Sequence, residues 1–179
     1  MHCANPCNEG KQMKMMQMLA FATLATVSVA AFAAAPVLNV SKEVTIDASA
    51  DKVWNQIKNF DGLGTWHPAV ATDAIVSGKN NEVGAVRLLT LKDGGTIKER
   101  LLDEQPNFYR YEMLESPLPV KNYQGQFALT PDDDDEDEIN FAWSAVFDAN
   151  GKPDKEARDT IDGLFKAGLD NIKVMAATK

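Results

Sequence analysis

Cysteine is absent from most of this 179-residue chain, because its two cysteines, Cys3 and Cys7, both lie within the first ten residues. No disulfide framework or cysteine zinc site can therefore hold the body of the chain together. Positive charge is also scarce, since 18 Lys and Arg stand against 26 Asp and Glu and leave a formal net charge of −8. Such an acidic chain repels phosphate backbones, which argues against nucleic acid as a partner.

Histidine is equally rare, with only His2 and His67 in the whole sequence. The sequence has no serine–histidine–aspartate order with a supporting motif, no glycine-rich phosphate loop and no metal-ligand spacing. We therefore predict neither a metal site nor a bound cofactor. The remaining composition, 45% apolar and 25% charged, is typical of one folded domain.

The N-terminal segment has the features of a secretory leader. Lys11 and Lys14 precede an uncharged run with an apolar middle, and Ala31-Phe32-Ala33 gives the small-x-small pattern of a cleavage site. We predict a leader and signal peptide over residues 1–33, and therefore a periplasmic or secreted protein without a stable membrane span after cleavage. The alternative is an uncleaved anchor, because a span needs only about 20 apolar residues.

The rest of the chain divides into a short extension over residues 34–39 and one domain over residues 40–179. Alternation predicts a strand over 40–46, and apolar residues at helical spacing predict a helix over 50–60. A single amphipathic helix is predicted at the end of the chain, over 154–177. Short strands with tight turns between them predict an antiparallel meander, and hence an α+β fold; they span 71–77, 83–91, 95–102, 109–115, 122–129 and 139–147.

Because side chains alternate across a strand, one face of this sheet can be read from the sequence. Glu99 shares a face with Ile97 and Leu101, so a carboxylate is predicted on an apolar face. The same alternation makes this face aromatic in the later strands, which suggests a cavity for a small molecule; the aromatic residues are Tyr109, Tyr111, Tyr123, Phe127, Phe141, Trp143 and Phe147. Two alternatives stay open: Glu99 forms a structural ion pair with Arg87, and the aromatic residues are plain core.

Several short motifs together resemble a known superfamily. They are Val53-Trp54, Phe60 to Trp66-His67-Pro68, Val83-Gly84-Ala85-Val86-Arg87, Glu99-Arg100-Leu101 and Leu118-Pro119-Val120-Lys121-Asn122-Tyr123. In order and spacing they resemble the START and birch-pollen-allergen (SRPBCC) superfamily, in its bacterial polyketide cyclase/dehydrase-type branch. The resemblance implies the helix-grip fold: a curved antiparallel sheet of about seven strands wrapped around a long C-terminal helix, with short helices after the first strand.

Plant abscisic-acid receptors, which belong to the same superfamily, share several of these motifs. The resemblance places their cavity cation, glutamate and tyrosine on His67, Glu99 and Tyr123. It places their two closing loops on residues 92–95 and 116–119. Because the receptors' cavity lysine appears here as His67, and the loop sequences differ, abscisic acid itself is not implied.

These observations together predict a secreted or periplasmic binding protein for a small hydrophobic ligand. The predicted ligand-binding residues are Trp66, His67, Arg87, Glu99, Tyr111, Tyr123, Phe141 and Trp143. One alternative is a cyclase/dehydrase-type enzyme that moves protons through His67 and Glu99. Another is an accessory protein of a periplasmic redox system such as methanol oxidation, docked to a basic protein partner through the acidic run 132–138.

Overall fold

The computed structural model describes residues 37–132, 135 and 137–178. The predicted leader over 1–33, with the cleavage site and the alternative anchor, lies outside these residues, as do parts of the acidic run. Among the described residues, no helix is both long and apolar enough to cross a membrane.

Seven antiparallel strands form one sheet in the spatial order β1-β7-β6-β5-β4-β3-β2, and the longest of the described helices follows the last strand. This confirms the predicted α+β helix-grip fold. The elements in chain order are β1 (Leu38–Asp47), α1 (Ala50–Ile57), α2 (Leu63–Trp66), β2 (Val70–Ser77), β3 (Val86–Leu91), β4 (Thr96–Gln105), β5 (Phe108–Glu115), β6 (Val120–Pro131), β7 (Glu138–Ala149) and α3 (Asp154–Ala177).

The first strand and helix follow from local chemistry. β1 is rich in β-branched residues and alternates between buried and exposed positions at its ends. Ser49 then begins α1 as its N-cap, because its side chain accepts a hydrogen bond from the backbone N–H of Lys52. Val53 and Ile57 are buried on the same face of α1, one turn apart.

The C-terminal helix α3 has the bounds that the sequence predicts and packs against β1 and β7. Asp154 and Glu156 lie in its first turn, where negative charge favours the positive end of the helix dipole. Its buried residues recur every three or four positions and face the sheet; they are Ala157, Ile161, Phe165, Gly168, Leu169, Ile172 and Ala176.

Most strand limits differ from the sequence-based limits by one to three residues, and the helix predicted over 50–60 ends at Ile57. Residues 83–85 precede β3 instead of belonging to it, because Gly84 has a φ of +91° and Val83 is 66% exposed. β1 begins at Leu38, so the last two residues of the predicted extension belong to the sheet. The predicted aromatic face of the sheet is buried against the core, as alternation requires.

Candidate functional site

The carboxylate of Glu99 is buried beside a buried arginine. Arg87 on β3 and Glu99 on β4 are opposite each other in the strand pairing, so both side chains point to the same side of the sheet. Nε of Arg87 donates a 2.8 Å hydrogen bond to Oε2 of Glu99, and Nη2 lies 2.6 Å from the same oxygen. Both residues are at most 4% exposed, so the ion pair that the sequence left as an alternative is present.

Arg87 has further partners on its far side. Its Nη1 donates a hydrogen bond to the backbone carbonyl of Phe60, and its guanidinium carbon lies 4.2 Å from the centre of the Phe60 ring. Nη1 also lies 3.5 Å from Oδ2 of Asp73, which accepts a 3.0 Å hydrogen bond from the backbone N–H of Leu63. Asp73 was missed in the sequence, although it shares a face of its predicted strand with the apolar residues Ala71 and Ile75, which is the same signal that singled out Glu99.

Burial controls the ionisation of this group of charges. It raises the pKa of Asp73 to about 6, against the opposing effects of Arg87 and the Leu63 N–H. Burial likewise raises the pKa of Glu99, and Arg87 opposes that shift. Burial disfavours the charged form of Arg87, but the nearby Glu99, Tyr109 and Asp73 outweigh this effect and raise the pKa of Arg87. The guanidinium therefore stays protonated.

His67 is buried, neutral and bonded at both ring nitrogens. Its Nδ1 lies 3.2 Å from the backbone N of Ala69, which can only donate, and its Nε2 lies 3.0 Å from the carbonyl oxygen of Leu164, which can only accept. These partners require the tautomer with the proton on Nε2. Burial lowers the pKa of His67, with Arg87 and Lys92 adding to the effect and the Leu164 carbonyl opposing it. His67 therefore does not supply a positive charge where the receptor resemblance implies a cation.

Three aromatic residues form a short hydrogen-bonded chain across the inner face. Nε1 of Trp143 donates to the hydroxyl of Tyr111 at 2.9 Å, and the hydroxyls of Tyr111 and Tyr123 lie 3.2 Å apart. Tyr111 fits here because Gly125 on β6 has no side chain: a Cβ at this position would lie 2.6 Å from the tyrosine ring and hydroxyl. The glycine thus allows the tyrosine to approach the neighbouring strand closely.

A small hollow of about 40 Å³ lies between α3 and the inner face of the sheet. Its volume is enough for a few water molecules and well below the roughly 300–1,000 Å³ of ligand pockets. Aromatic packing accounts for the small size, since the rings of Trp143 and Phe165 stack at 4.4 Å. Its walls are Leu63, His67, Ala69, Val70, Leu89, Leu91, Ile97, Glu99, Tyr111, Met113, Leu118, Tyr123, Trp143, Ile161, Leu164 and Phe165.

A larger depression of about 440 Å³ opens to the surface above this hollow. The two spaces share the wall residues Ala69, Leu91, Leu118 and Leu164, so these side chains form the partition between them. Lys92 and Asp93 line the outer space only. The loops 92–95 and 116–119 meet here, because a Cβ on Gly95 would lie 3.3 Å from the ring of Pro117.

A second surface cleft, of about 680 Å³, lies where β5 and β6 separate. The pairing of these strands runs from Phe108 to Glu112 on β5, whereas the pairing of β5 with β4 continues to Glu115. Met113 and Tyr123 line both this cleft and the inner hollow. The inner hollow therefore adjoins the surface depressions on two sides.

The eight predicted ligand-binding residues divide into two groups. His67, Glu99, Tyr111, Tyr123 and Trp143 line the hollow, where their ligand-binding role stays a prediction. The others lie behind this wall. Arg87 contacts Glu99 from the far side, and the ring of Trp66 packs among Phe127, Phe141 and Trp143 at centroid distances of 5.6–6.4 Å.

Comparison with protein families identifies a family with this architecture. The model of a family described as polyketide cyclase/dehydrase and lipid transport matches residues 37–176. The chain belongs to this family. The match covers nearly all of the described domain and confirms the resemblance that the sequence motifs indicated, whereas comparison with curated proteins gives no match.

Solved structures agree with this assignment. The protein XoxI from Bacillus cereus superposes with a TM-score of 0.72 at 26% identity, covering 78% of this chain and 96% of that one. A protein from Thermobifida fusca gives a TM-score of 0.68 at 25% identity, covering 75% and 90%. The ZhuI aromatase/cyclase of a Streptomyces species, at 19% identity and a TM-score of 0.64, covers 79% and 94% and shares the fold.

Proposed function

We propose that this chain binds a small, mainly apolar molecule between α3 and the inner face of its sheet. The observation that carries the proposal is a buried carboxylate, Glu99, on the wall of an otherwise apolar and aromatic hollow. Burying a charge costs free energy even when the charge is paired. A packed core alone does not require a carboxylate that faces a cavity, so this position of Glu99 supports a binding role. The family description, which includes lipid transport, supports the same class of function.

The ligand needs more room than the hollow has, so binding must open the partition below the outer depression. Leu118 lies on the short loop 116–119 and lines both spaces. Movement of Leu118 would remove one of the four side chains that separate the hollow from the 440 Å³ depression, which is the size of a ligand pocket. The two loops that meet at Gly95 and Pro117 then close over the bound molecule.

The bonding of His67 favours binding over proton transfer. A general base needs a free lone pair, and the Nδ1 lone pair of His67 is engaged by the Ala69 N–H. Catalysis through this residue would first have to break that hydrogen bond. Turnover that is lost in Glu99→Gln while ligand affinity is retained would favour the enzymatic alternative instead.

The test of binding is thermal unfolding in the presence of a panel of lipids, aromatic alcohols and aromatic acids. A compound present at about 100 times its Kd stabilises the folded state by about 2.7 kcal/mol, which is a readily measured rise in Tm. Gly163→Trp fills the outer depression, where the glycine has no neighbour within 4 Å, and should weaken the response. Lys173→Trp, exposed on the same helix, is the matched control. Absence of any Tm shift across the panel would contradict the proposal.

A periplasmic or secreted location, and a protein partner there, belong to the same proposal. The support is the sequence of the leader, with its apolar run and its Ala31-Phe32-Ala33 site. Sequencing the N-terminus of protein recovered from the producing cells tests it, and the expected first residue is Ala34. An intact N-terminus on protein from the cytoplasm would contradict it.

A further inference from the structure

We propose that the polar group of the ligand is an uncharged hydroxyl, which donates a hydrogen bond to Glu99 and accepts one from the tyrosine pair. This inference rests on the ligand-binding function proposed above and adds the chemistry of the head group. It follows from the hydrogen bonds that the polar atoms around the hollow already make, and from the donors and acceptors that remain free.

The acceptor is the second oxygen of Glu99. Both contacts from Arg87 go to Oε2, and within the described part of the chain no hydrogen bond engages Oε1. Glu99 lines the hollow and is paired with the Arg87 guanidinium through Oε2, so a ligand that reaches it meets a carboxylate oxygen with free lone pairs. Such an oxygen requires a hydrogen-bond donor opposite it.

The donor is a tyrosine hydroxyl. The indole N–H of Trp143 can only donate, and it donates to Tyr111. The hydroxyls of Tyr111 and Tyr123 bond to each other and hold two hydrogens, of which their mutual bond uses one. One hydroxyl hydrogen is therefore left over, whichever of the two tyrosines donates. A ligand group that both donates to Glu99 and accepts from this hydrogen is a hydroxyl.

The charges exclude an anionic head group. Among the wall residues of the hollow, as the structure describes them, Glu99 is the only one with a formal charge, because His67 is neutral. Arg87 is fully buried behind Glu99 and bonded to it, and Lys92 lines only the outer depression. A carboxylate in the hollow would lie next to another carboxylate without a free cation to offset the repulsion.

The test compares three ligands with one tail: 4-butylphenol, 4-butylanisole and 4-butylbenzoate, titrated at pH 8 with tryptophan fluorescence or calorimetry as readout. The phenol is neutral and both donates and accepts, the anisole only accepts, and the benzoate is an anion. We expect the Kd of the phenol to be at least tenfold lower than the Kd of either of the others. Equal or tighter binding of the benzoate or the anisole overturns the head-group assignment.

Two variants sharpen this test. Glu99→Gln removes the negative charge but keeps an acceptor, so the phenol-to-benzoate ratio of affinities should fall by at least fivefold. Glu112→Gln, which changes the same residue type on the opposite face of the sheet, should leave that ratio unchanged. If Glu99→Gln unfolds, the comparison of the three ligands on the unaltered protein still decides the matter.

Failure of the head-group assignment can be told apart from failure of ligand binding. If none of the three ligands binds and the panel of lipids, alcohols and acids gives no Tm shift, the binding function itself is wrong. If a panel compound binds that is an anion or has no hydroxyl, binding stands and the head-group assignment is wrong.

Discussion

Gly168 of α3 lies directly against the imidazole of His67. A Cβ on this glycine would lie 2.7 Å from Cδ2 of His67 and 2.7 Å from the ring of Trp143. The close approach brings the helix near enough for the Leu164 carbonyl to accept the hydrogen bond from His67. Gly163, one and a half turns earlier, has open space beside it instead, so the two glycines of α3 have different roles.

These roles predict opposite effects of alanine. Gly168→Ala should lower the free energy of unfolding by about 1–3 kcal/mol, because the added methyl group overpacks rings that hydrogen bonds hold in place. Gly163→Ala should raise it by up to about 1 kcal/mol, because alanine favours the helix and meets no neighbour. Urea unfolding of the two variants measures both effects. A stabilising Gly168→Ala would show that His67 and Trp143 can move away without cost.

Removal of Arg87 should be among the most destabilising single changes in the chain. Arg87→Met leaves the carboxylates of Glu99 and Asp73 buried without their cation, and breaking a buried pair in this way costs about 3–5 kcal/mol. The double variant Arg87→Met/Glu99→Leu removes both members of the close pair and should recover much of the loss. Equilibrium urea unfolding of the single and double variants tests this non-additivity. A loss below about 1 kcal/mol in Arg87→Met would contradict the ion-pair geometry.

The sequence predicted the fold and the faces of its strands because one side of the sheet is buried. A shift of one residue would have turned every side chain of β4 to the other face. The burial of Ile97, Glu99 and Leu101 on one face therefore fixes the register of this strand. The bounds of α3 were predictable because its apolar residues recur at helical spacing and acidic residues occupy its first turn.

The interior of the site could not be predicted from the sequence. The tautomer of His67 depends on a carbonyl 97 positions away, and the volume of the hollow depends on how Trp143 stacks on Phe165. Both are outcomes of tertiary packing, which alternation does not describe. Alternation could, however, have added Asp73 to the polar residues near Glu99, because it shares a face of β2 with the apolar residues Ala71 and Ile75.

Asp73 should give the stability of the protein a recognisable pH dependence. Its pKa is about 6 in the folded state, above the ordinary value of 3.8, so between these values the folded chain holds a proton that the unfolded chain has lost. The free energy of unfolding therefore falls as pH rises through this window, by at most about 3 kcal/mol from this group. His67, with its lowered pKa, contributes the opposite slope near its ordinary value of 6.5.

The contribution of Asp73 is isolated by the difference between Asp73→Asn and the unaltered protein. Relative to the unaltered protein, the variant should become steadily more stable from pH 4 to pH 7, because it lacks the carboxyl that is deprotonated over this range. Unfolding by urea at several pH values gives the difference curve. Asp47→Asn, at an exposed strand end, is the control for the loss of an aspartate. A flat difference for Asp73→Asn would mean that Asp73 is ionised throughout.

The three tyrosines of the chain should not ionise while the protein is folded. Tyr109, Tyr111 and Tyr123 are each at most 3% exposed, and burial raises the pKa of all three above the ordinary value of 10. Absorbance near 295 nm should therefore stay flat up to the pH at which base unfolds the protein, whereas the chain in guanidinium should titrate near pH 10. Val83→Tyr, at a 66% exposed position, adds one ordinary tyrosine and calibrates the signal.

This titration also reports whether the hollow is closed. Tyr111 and Tyr123 line it, so a folded protein whose loops open often would let hydroxide reach them and would show part of the tyrosine signal near pH 10. A ligand of the size of 4-butylphenol that does not absorb near 295 nm, such as a butylcyclohexanol, should then suppress this early tyrosine signal. The reason is that the bound ligand blocks the route by which hydroxide reaches the two hydroxyls. A signal near pH 10 that no ligand suppresses would show that these tyrosines reach water by another route, of which the cleft beside Met113 is the nearest.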